Sequence, residues 1–293
     1  MVYKPSLGEK IFNVFNVLFM ALMIVITLYP FWYCVTCSLS RDIVGNSASL
    51  MLWPKGFNID AYKSVLDRPA ILTGYKVTLI VVVVATTLNI FFTAIAAFLL
   101  TRKRFAIKGF LTWMMLITMY FGGGMIPTYI ILNNVLNLGN TYIVLIIPGL
   151  ISVYNMIVMR TNFAGIPTSL EESVKVDGGN DMHVLFHIIL PLSKAIISVM
   201  VLFYGVGHWN AWFNAMIYIQ DRDLFPLQLF LREILISNNT DQMMGDVATA
   251  EKEQISETIQ YATIIIATVP ILFLYPFLQK YFVKGITVGA VKG

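Results

Sequence analysis

Charge is scarce in this 293-residue chain: Asp, Glu, Lys and Arg together make up 12%. Soluble domains carry about 25%. Hydrophobic residues make up 58% and mean hydropathy is +0.75. A soluble domain of this length cannot hide that much apolar surface. Disorder is excluded by the same figures, because disordered chains are polar and charged. The net charge of +4 comes from scattered basic residues, which argues against a nucleic-acid partner. Only two cysteines are present. Cys34 and Cys37 share a helix face, but with no second pair there is no zinc framework. They read as small apolar side chains near a membrane boundary. His183 and His187 are four residues apart, yet no Glu follows His183 and no third ligand is near, so no metal is expected. No Ser/His/Asp set, Cys/His set or paired intramembrane carboxylate appears, and the chain does not read as an enzyme. The lack of intramembrane acids argues against a proton-driven carrier. Matched broken helices and an internal repeat are also lacking.

What is present is a series of long uncharged stretches. No Asp, Glu, Lys or Arg occurs over 11–40, 77–101, 109–159, 195–220 or 258–279. A spanning helix needs about 20 mainly apolar residues. The third stretch holds two spans, parted by the turn-rich run from Asn133 to Asn140. Six spans follow, roughly 11–38, 73–101, 109–132, 141–160, 191–220 and 257–282, in a single transmembrane domain over 1–293. Runs such as Leu79 to Val84 show none of the alternation of a barrel strand, so the class is all-α. The first span is too long for a signal core, lacks a cleavage site, and reads as retained. Arg102, Lys103, Arg104 and Lys108 follow span two, whereas the segment after span five is acidic. The excess of Lys and Arg in alternate loops places both termini in the cytoplasm. About 39–72, 133–140 and 221–256 then face outward.

Several polar residues lie in or near spans. Asn89 reads as an interhelical hydrogen-bonding residue. Tyr204, Trp209, Asn210, Trp212 and Asn214, with Asn155, read either as an amide-and-aromatic path for a sugar or as interhelical bonding and an interfacial aromatic belt. Gly122-Gly123-Gly124 lacks the pattern of a phosphate loop and reads as a flexible or closely packed point.

The segment between spans four and five, about 161–190, carries the clearest local signal. Ser169 to Glu172 reads S-x-x-E, a capping box that opens a helix. Leu170, Val174 and Asp177 recur at helical spacing. Gly178-Gly179 supplies a left-handed stop. Asn180 or Asp181 can cap a second helix running through Leu185, Phe186 and Ile189 to Pro191. Two short helices should therefore meet at a glycine turn on the cytoplasmic face.

This segment resembles the EAA loop of ABC importer permeases, with matches at Glu171, Asp177, Gly178, Phe186, Ile188, Leu190 and Pro191. It departs mildly at Glu172, Ser173, Gly179 and Ala195. The likeness extends to Trp53-Pro54-Lys55-Gly56-Phe57, Gly124 to Tyr129, Asn140-Thr141, Ile146-Ile147-Pro148, Trp209 to Phe213, Pro226-Leu227-Gln228 and the tail from Lys284 to Gly293. Together these resemble the carbohydrate, MalG-like type I permeases, in an LplC/YtcP-like subgroup of Gram-positive bacteria. The resemblance implies one half of a heterodimeric pore in the plasma membrane, completed by a second homologous permease. It implies two ATP-binding subunits and an extracellular lipid-anchored solute-binding protein. The solute would be a sugar or oligosaccharide. ATP and Mg would be used by the partner ATPase, with no cofactor in this chain. Glu171, Glu172, Asp177, Gly178, Gly179, Phe186 and Pro191 would couple to the ATPase, with Glu171 and Asp177 offering it carboxylates. The rival readings are a secondary carrier for a polar solute and a non-transporting scaffold or sensor subunit.

Overall fold

The structure is a computed structural model, and it describes residues 6–41, 50–243, 257–273 and 276. The described residues fall into two compact bodies. One draws on Met1–Arg68 and Leu231–Thr268, the other on Pro69–Phe230 and Val269–Gly293.

In the first body, α1 (Leu7–Ser38) opens with a reciprocal capping box. Glu9 N–H donates to Ser6 Oγ at 3.3 Å, and Ser6 N–H donates to Glu9 Oε2 at 2.6 Å. At 1.5 Å per residue, 32 residues extend about 48 Å, longer than a hydrocarbon core of about 30 Å. Its apolar side chains are exposed over most of its length; only Thr36, Cys37 and Ser38 are buried. There Cys37 packs on Met51 beside Tyr33 and Tyr261. Both cysteines are free thiols. The loop to α2 (Asp60–Leu66) is tied down by Trp32 Nε1–H to Leu52 O at 2.9 Å and by the Ser38–Tyr62 hydroxyl pair at 2.6 Å.

The second body is organised on α3 (Pro69–Thr101), which packs along α7 (Val153–Ala164) and α11 (Lys194–Trp209). Small residues on α3, among them Ala85, Ala94 and Ala97, let the other helices approach closely. Met156, Met159, Phe163, Leu185, Ile189 and Met200 complete the buried cluster.

Two of the expected spans are single helices, α1 and α3; three are broken. The expected span 109–132 is α4 (Lys108–Tyr120) and then α5 (Met125–Tyr129) with a π-helical turn, Ile130–Val135, leaving at 115°. The break falls on Gly122-Gly123-Gly124, and Gly124 sits at φ 85°. Among the described residues a Cβ on Gly122 or Gly123 would meet nothing within 4 Å, so within this chain these glycines make a helix break and not a close-packed point. The span 141–160 is α6 (Tyr142–Ile146), a tight turn over Ile147–Gly149, and α7 at 51°. Pro148 lies in that turn and cannot donate a backbone hydrogen bond. The span 191–220 begins instead at Lys194 on α11 and ends in a separate short helix, α12 (Phe213–Tyr218). Among the described residues, two helices are long and apolar enough to cross a bilayer, or five if each bent pair counts as one. The chain continues through α13 (Leu227–Met243) to α14 (Glu257–Phe273). The rest of the expected last span, and the tail from Lys284, lie outside the described residues.

Candidate functional site

The segment after α7 folds as two short helices meeting at a glycine turn. The first, α8 (Thr168–Val176), is entered through Pro167 and has no side-chain cap. Ser169 lies inside its first turn, so the S-x-x-E box expected there does not form; proline's fixed φ starts the helix earlier. Gly178 at φ 78° closes α8, with Gly179 N–H donating to Val174 O at 2.8 Å. A Cβ on Gly179 would collide with Val174, so the turn needs glycine at both positions. Asn180 then caps α9 (Asp181–Val184), its Oδ1 accepting from His183 N–H at 2.8 Å. The helix continues through a π-helical turn, Leu185–Ile189, into α10 (Leu190–Leu192) and bends by 83° into α11. Val184, Leu185 and Ile189 are buried in the main cluster, which anchors the elbow.

The two faces of α8 do different things. On the inner face, Glu171 receives both Nη atoms of Arg102, at 2.5 and 2.7 Å. The side chains are only 17% and 13% exposed for Arg102 and Glu171. The Arg102 guanidinium also lies 4.2 Å over the Phe98 ring. In this chain both oxygens of Glu171, whose carboxylate was expected to be offered to the ATPase, bond to Arg102, just past the end of α3. On the outer face Glu172, Val176 and Asp177 are exposed, Val176 at 87%. Leu170 also reaches the surface. Phe186 and Pro191 lie on the exposed side of the following helix. Arg102 is the residue the sequence reading missed; its signal was a cation one position beyond an uncharged span.

A second polar site lies within the helices. The break after Gly149 leaves carbonyls without helical partners, which is costly in lipid. Asn89, fully buried on α3, answers it: Nδ2 donates to Gly149 O at 2.6 Å and to Leu150 O at 2.9 Å. Its Oδ1 pairs with His208 Nε2 on α11 at 2.8 Å. Nearby, the Tyr204 hydroxyl pairs with Thr93 Oγ1 at 2.8 Å and accepts Ser152 N–H at 3.1 Å. A cavity of about 270 Å³ opens beside this network.

Of the six residues assigned to a solute path, Tyr204 and Asn214 line this cavity. The others do not. Trp209 is buried with its ring 6.2 Å from that of Tyr75. Asn210 is exposed at the end of α11. Trp212 stands edge-on to Phe213 at 5.4 Å. Asn155 is buried in the first turn of α7. The helix break at Asn210–Trp212 divides the face that continuous helical spacing had placed together. His183 and His187 stack at 4.0 Å, and no group of three metal-ligating side chains occurs among the described residues.

No family model matches the chain. Individual proteins do. Protein LplC of Bacillus subtilis is 39% identical over 284 residues, covering 97% of this chain and 96% of that protein. The polygalacturonan/rhamnogalacturonan transport system permease protein YtcP of the same organism is 35% identical over 287 residues, covering 97% and 99%. The fold matches a chain from the crystal structure of a bacterial ABC transporter involved in the import of the acidic polysaccharide alginate. The TM-score is 0.83 at 25% identity, over 96% of this chain and 100% of that one. Such permeases are not themselves enzymes, and ATP hydrolysis lies in a partner subunit. On full-length identity well above 30% and a shared fold, the chain belongs to the carbohydrate-type permease subunits of ABC importers, alongside LplC and YtcP.

Proposed function

We propose that this permease forms half of a heterodimeric pore for an oligosaccharide and docks on one of two ATP-binding subunits through the outer face of α8. The observation that carries this is the division of labour on α8. Its inner face is locked to α3 through Glu171 and Arg102, and its outer face presents Glu172, Val176 and Asp177 to whatever lies below. A short helix held rigidly on one side and exposed on the other can receive a push and pass it to the spans. Glu172 and Asp177 offer carboxylates for charge-assisted bonds to the ATPase, and Val176 and Leu170 offer apolar contact. Gly178, Gly179, Phe186 and Pro191 set the elbow's shape.

On this reading the chain is a single transmembrane domain over 1–293 with six spans, both termini inside, and the coupling loop at about 161–190. The bent pairs over 108–135 and 142–164 then each count as one span, α11 with α12 forms the fifth, and α14 belongs to the sixth. A second permease completes the pore, and an extracellular lipid-anchored binding protein delivers solute in a Gram-positive plasma membrane. ATP and Mg are used by the ATPase, and this chain carries no cofactor. The names of YtcP and of the alginate importer support a carbohydrate solute. Tyr204 and Asn214 supply the solute path from this chain.

The test is Asp177→Arg and Glu172→Arg in the complex reconstituted in lipid vesicles. Binding-protein-stimulated ATP hydrolysis and uptake should both fall while the permease pair stays assembled. Uptake at the wild-type rate would remove the docking assignment. Uptake that follows an ion gradient without ATP would favour a secondary carrier.

A further inference from the structure

The pairing of Asn89 with His208 has a chemical consequence for the cavity. The two hydrogens of an amide nitrogen are both used when Asn89 Nδ2 donates to the Gly149 and Leu150 carbonyls. The flipped amide would aim its oxygen at two carbonyl oxygens, so Asn89 Oδ1 must face His208. An amide oxygen only accepts; His208 Nε2 must therefore carry the hydrogen in their 2.8 Å bond. In the neutral ring, Nδ1 is then a bare acceptor. Among the described residues no group donates to it, and His208 lines the cavity.

The other walls suit the same kind of guest. Thr78 Oγ1 accepts Leu227 N–H at 2.8 Å, which leaves its own hydrogen to donate elsewhere. Asn214 is exposed and brings both a donor and an acceptor. Phe203 and Tyr204 contribute aromatic surface. Gly207 keeps the space open: a Cβ there would meet nothing within 4 Å. The volume of about 270 Å³ falls just under the ~300–1,000 Å³ of drug-sized ligand sites, which fits one ring and not a chain of rings.

We propose that this cavity is a transit subsite for one sugar ring, in which His208 Nδ1 accepts a hydroxyl hydrogen while Asn89 holds the imidazole in that tautomer. The inference rests on the oligosaccharide reading above. It moves the contact point from the Trp209–Trp212 stretch to the face of α11 that carries His208 and Gly207. A neutral acceptor and one or two donors grip weakly, as a transit site must.

The experiment uses the assembled importer in vesicles with its binding protein and a panel of pectic, alginate and malto-oligosaccharides. If no saccharide in the panel enters with ATP, the carbohydrate reading falls, and this inference with it. If one does, three results are expected. Gly207→Phe, which fills open space, should lose uptake while keeping binding-protein-stimulated ATP hydrolysis. His208→Leu should raise the half-saturating saccharide concentration by about fivefold, the range of one neutral hydrogen bond. Nitrogen NMR, with His208 assigned from the signals lost in His208→Gln, should show a neutral ring protonated at Nε2. With saccharide and binding protein present, the Nδ1 signal should shift. Normal uptake by Gly207→Phe, or a ring protonated at Nδ1, would overturn the proposal. If Gly207→Phe does not assemble, an unchanged half-saturating concentration in His208→Leu would overturn it instead.

Discussion

Cutting the tie between Arg102 and Glu171 should uncouple the importer without dismantling it. The magnitude follows from the geometry. The contact is bidentate, less than one-fifth exposed on either side, and backed by the Phe98 ring. An exposed ion pair contributes about 0–1 kcal/mol. Removing one partner of a fully buried pair costs about 3–5 kcal/mol, because the other charge is stranded. Arg102→Ala falls between these limits and should cost about 2–3 kcal/mol in holding α8 to α3. At 1.4 kcal/mol per factor of ten, the fraction of complexes with α8 detached rises by about 30- to 150-fold. Hydrogen exchange reads this directly: amides of 168–176 should exchange faster by that factor, while those of α3 change little. In vesicles, ATP hydrolysis should lose its dependence on binding protein, and uptake should fall further than hydrolysis. The charge-swapped pair Arg102→Glu/Glu171→Arg should recover part of both signals. Recovery should be incomplete, because a carboxylate over Phe98 has no cation–π attraction. Unchanged exchange in 168–176 together with normal coupling in Arg102→Ala would refute the argument.

Other consequences can be checked singly. Gly178→Val should weaken the elbow by about 1–2 kcal/mol through φ alone, since a Cβ meets nothing there, whereas Gly178→Asn should lose less; stimulated ATP hydrolysis reads both. Asn89→Leu leaves two carbonyls and an imidazole unpaired and should lower thermal stability in detergent by at least about 2 kcal/mol, with Asn89→Asp also destabilising because it cannot donate. In a variant lacking Cys34 and Cys37, a cysteine at Asp67 should react with an impermeant thiol reagent from outside intact cells and one at Asn180 should not; labelling at Asn180 would invert the orientation.

The parts of this fold that were legible in the sequence are those governed by one local rule. An uncharged run longer than a bilayer is thick gives α1 and α3 directly. Glycine after an amphipathic stretch gives the end of α8, and Asn180 gives the start of α9, because each acts on backbone groups within a few residues. The breaks were harder. Gly122-Gly123-Gly124 was visible, but whether three glycines admit a neighbouring helix or end their own depends on what packs there, and among the described residues a Cβ on Gly122 or Gly123 would meet nothing within 4 Å. The S-x-x-E pattern misled for a similar reason. Pro167 had already started the helix, so Ser169 had no free first-turn position to cap.

The two sites differ from the elbow in that their partners lie 52 to 119 residues apart in the chain. Glu171 reads as a free carboxylate until Arg102 is brought onto it, and periodicity carries no information about that meeting. Asn89 reads correctly as a bonding residue, yet the sequence names neither His208 nor the carbonyls of the break. What links them is a requirement of the membrane itself. A helix broken in lipid must find donors for the carbonyls it exposes, and a donor on a neighbouring helix must be held by packing. A lone asparagine in one apolar span and a proline-glycine pair in another therefore belong together for a physical reason. The histidine joins them because the amide, once both its hydrogens are committed, needs a donor for its oxygen. The polarity of the cavity is thus set by the repair of a helix break, and that is why the tautomer of His208 can be read from two backbone carbonyls it does not touch.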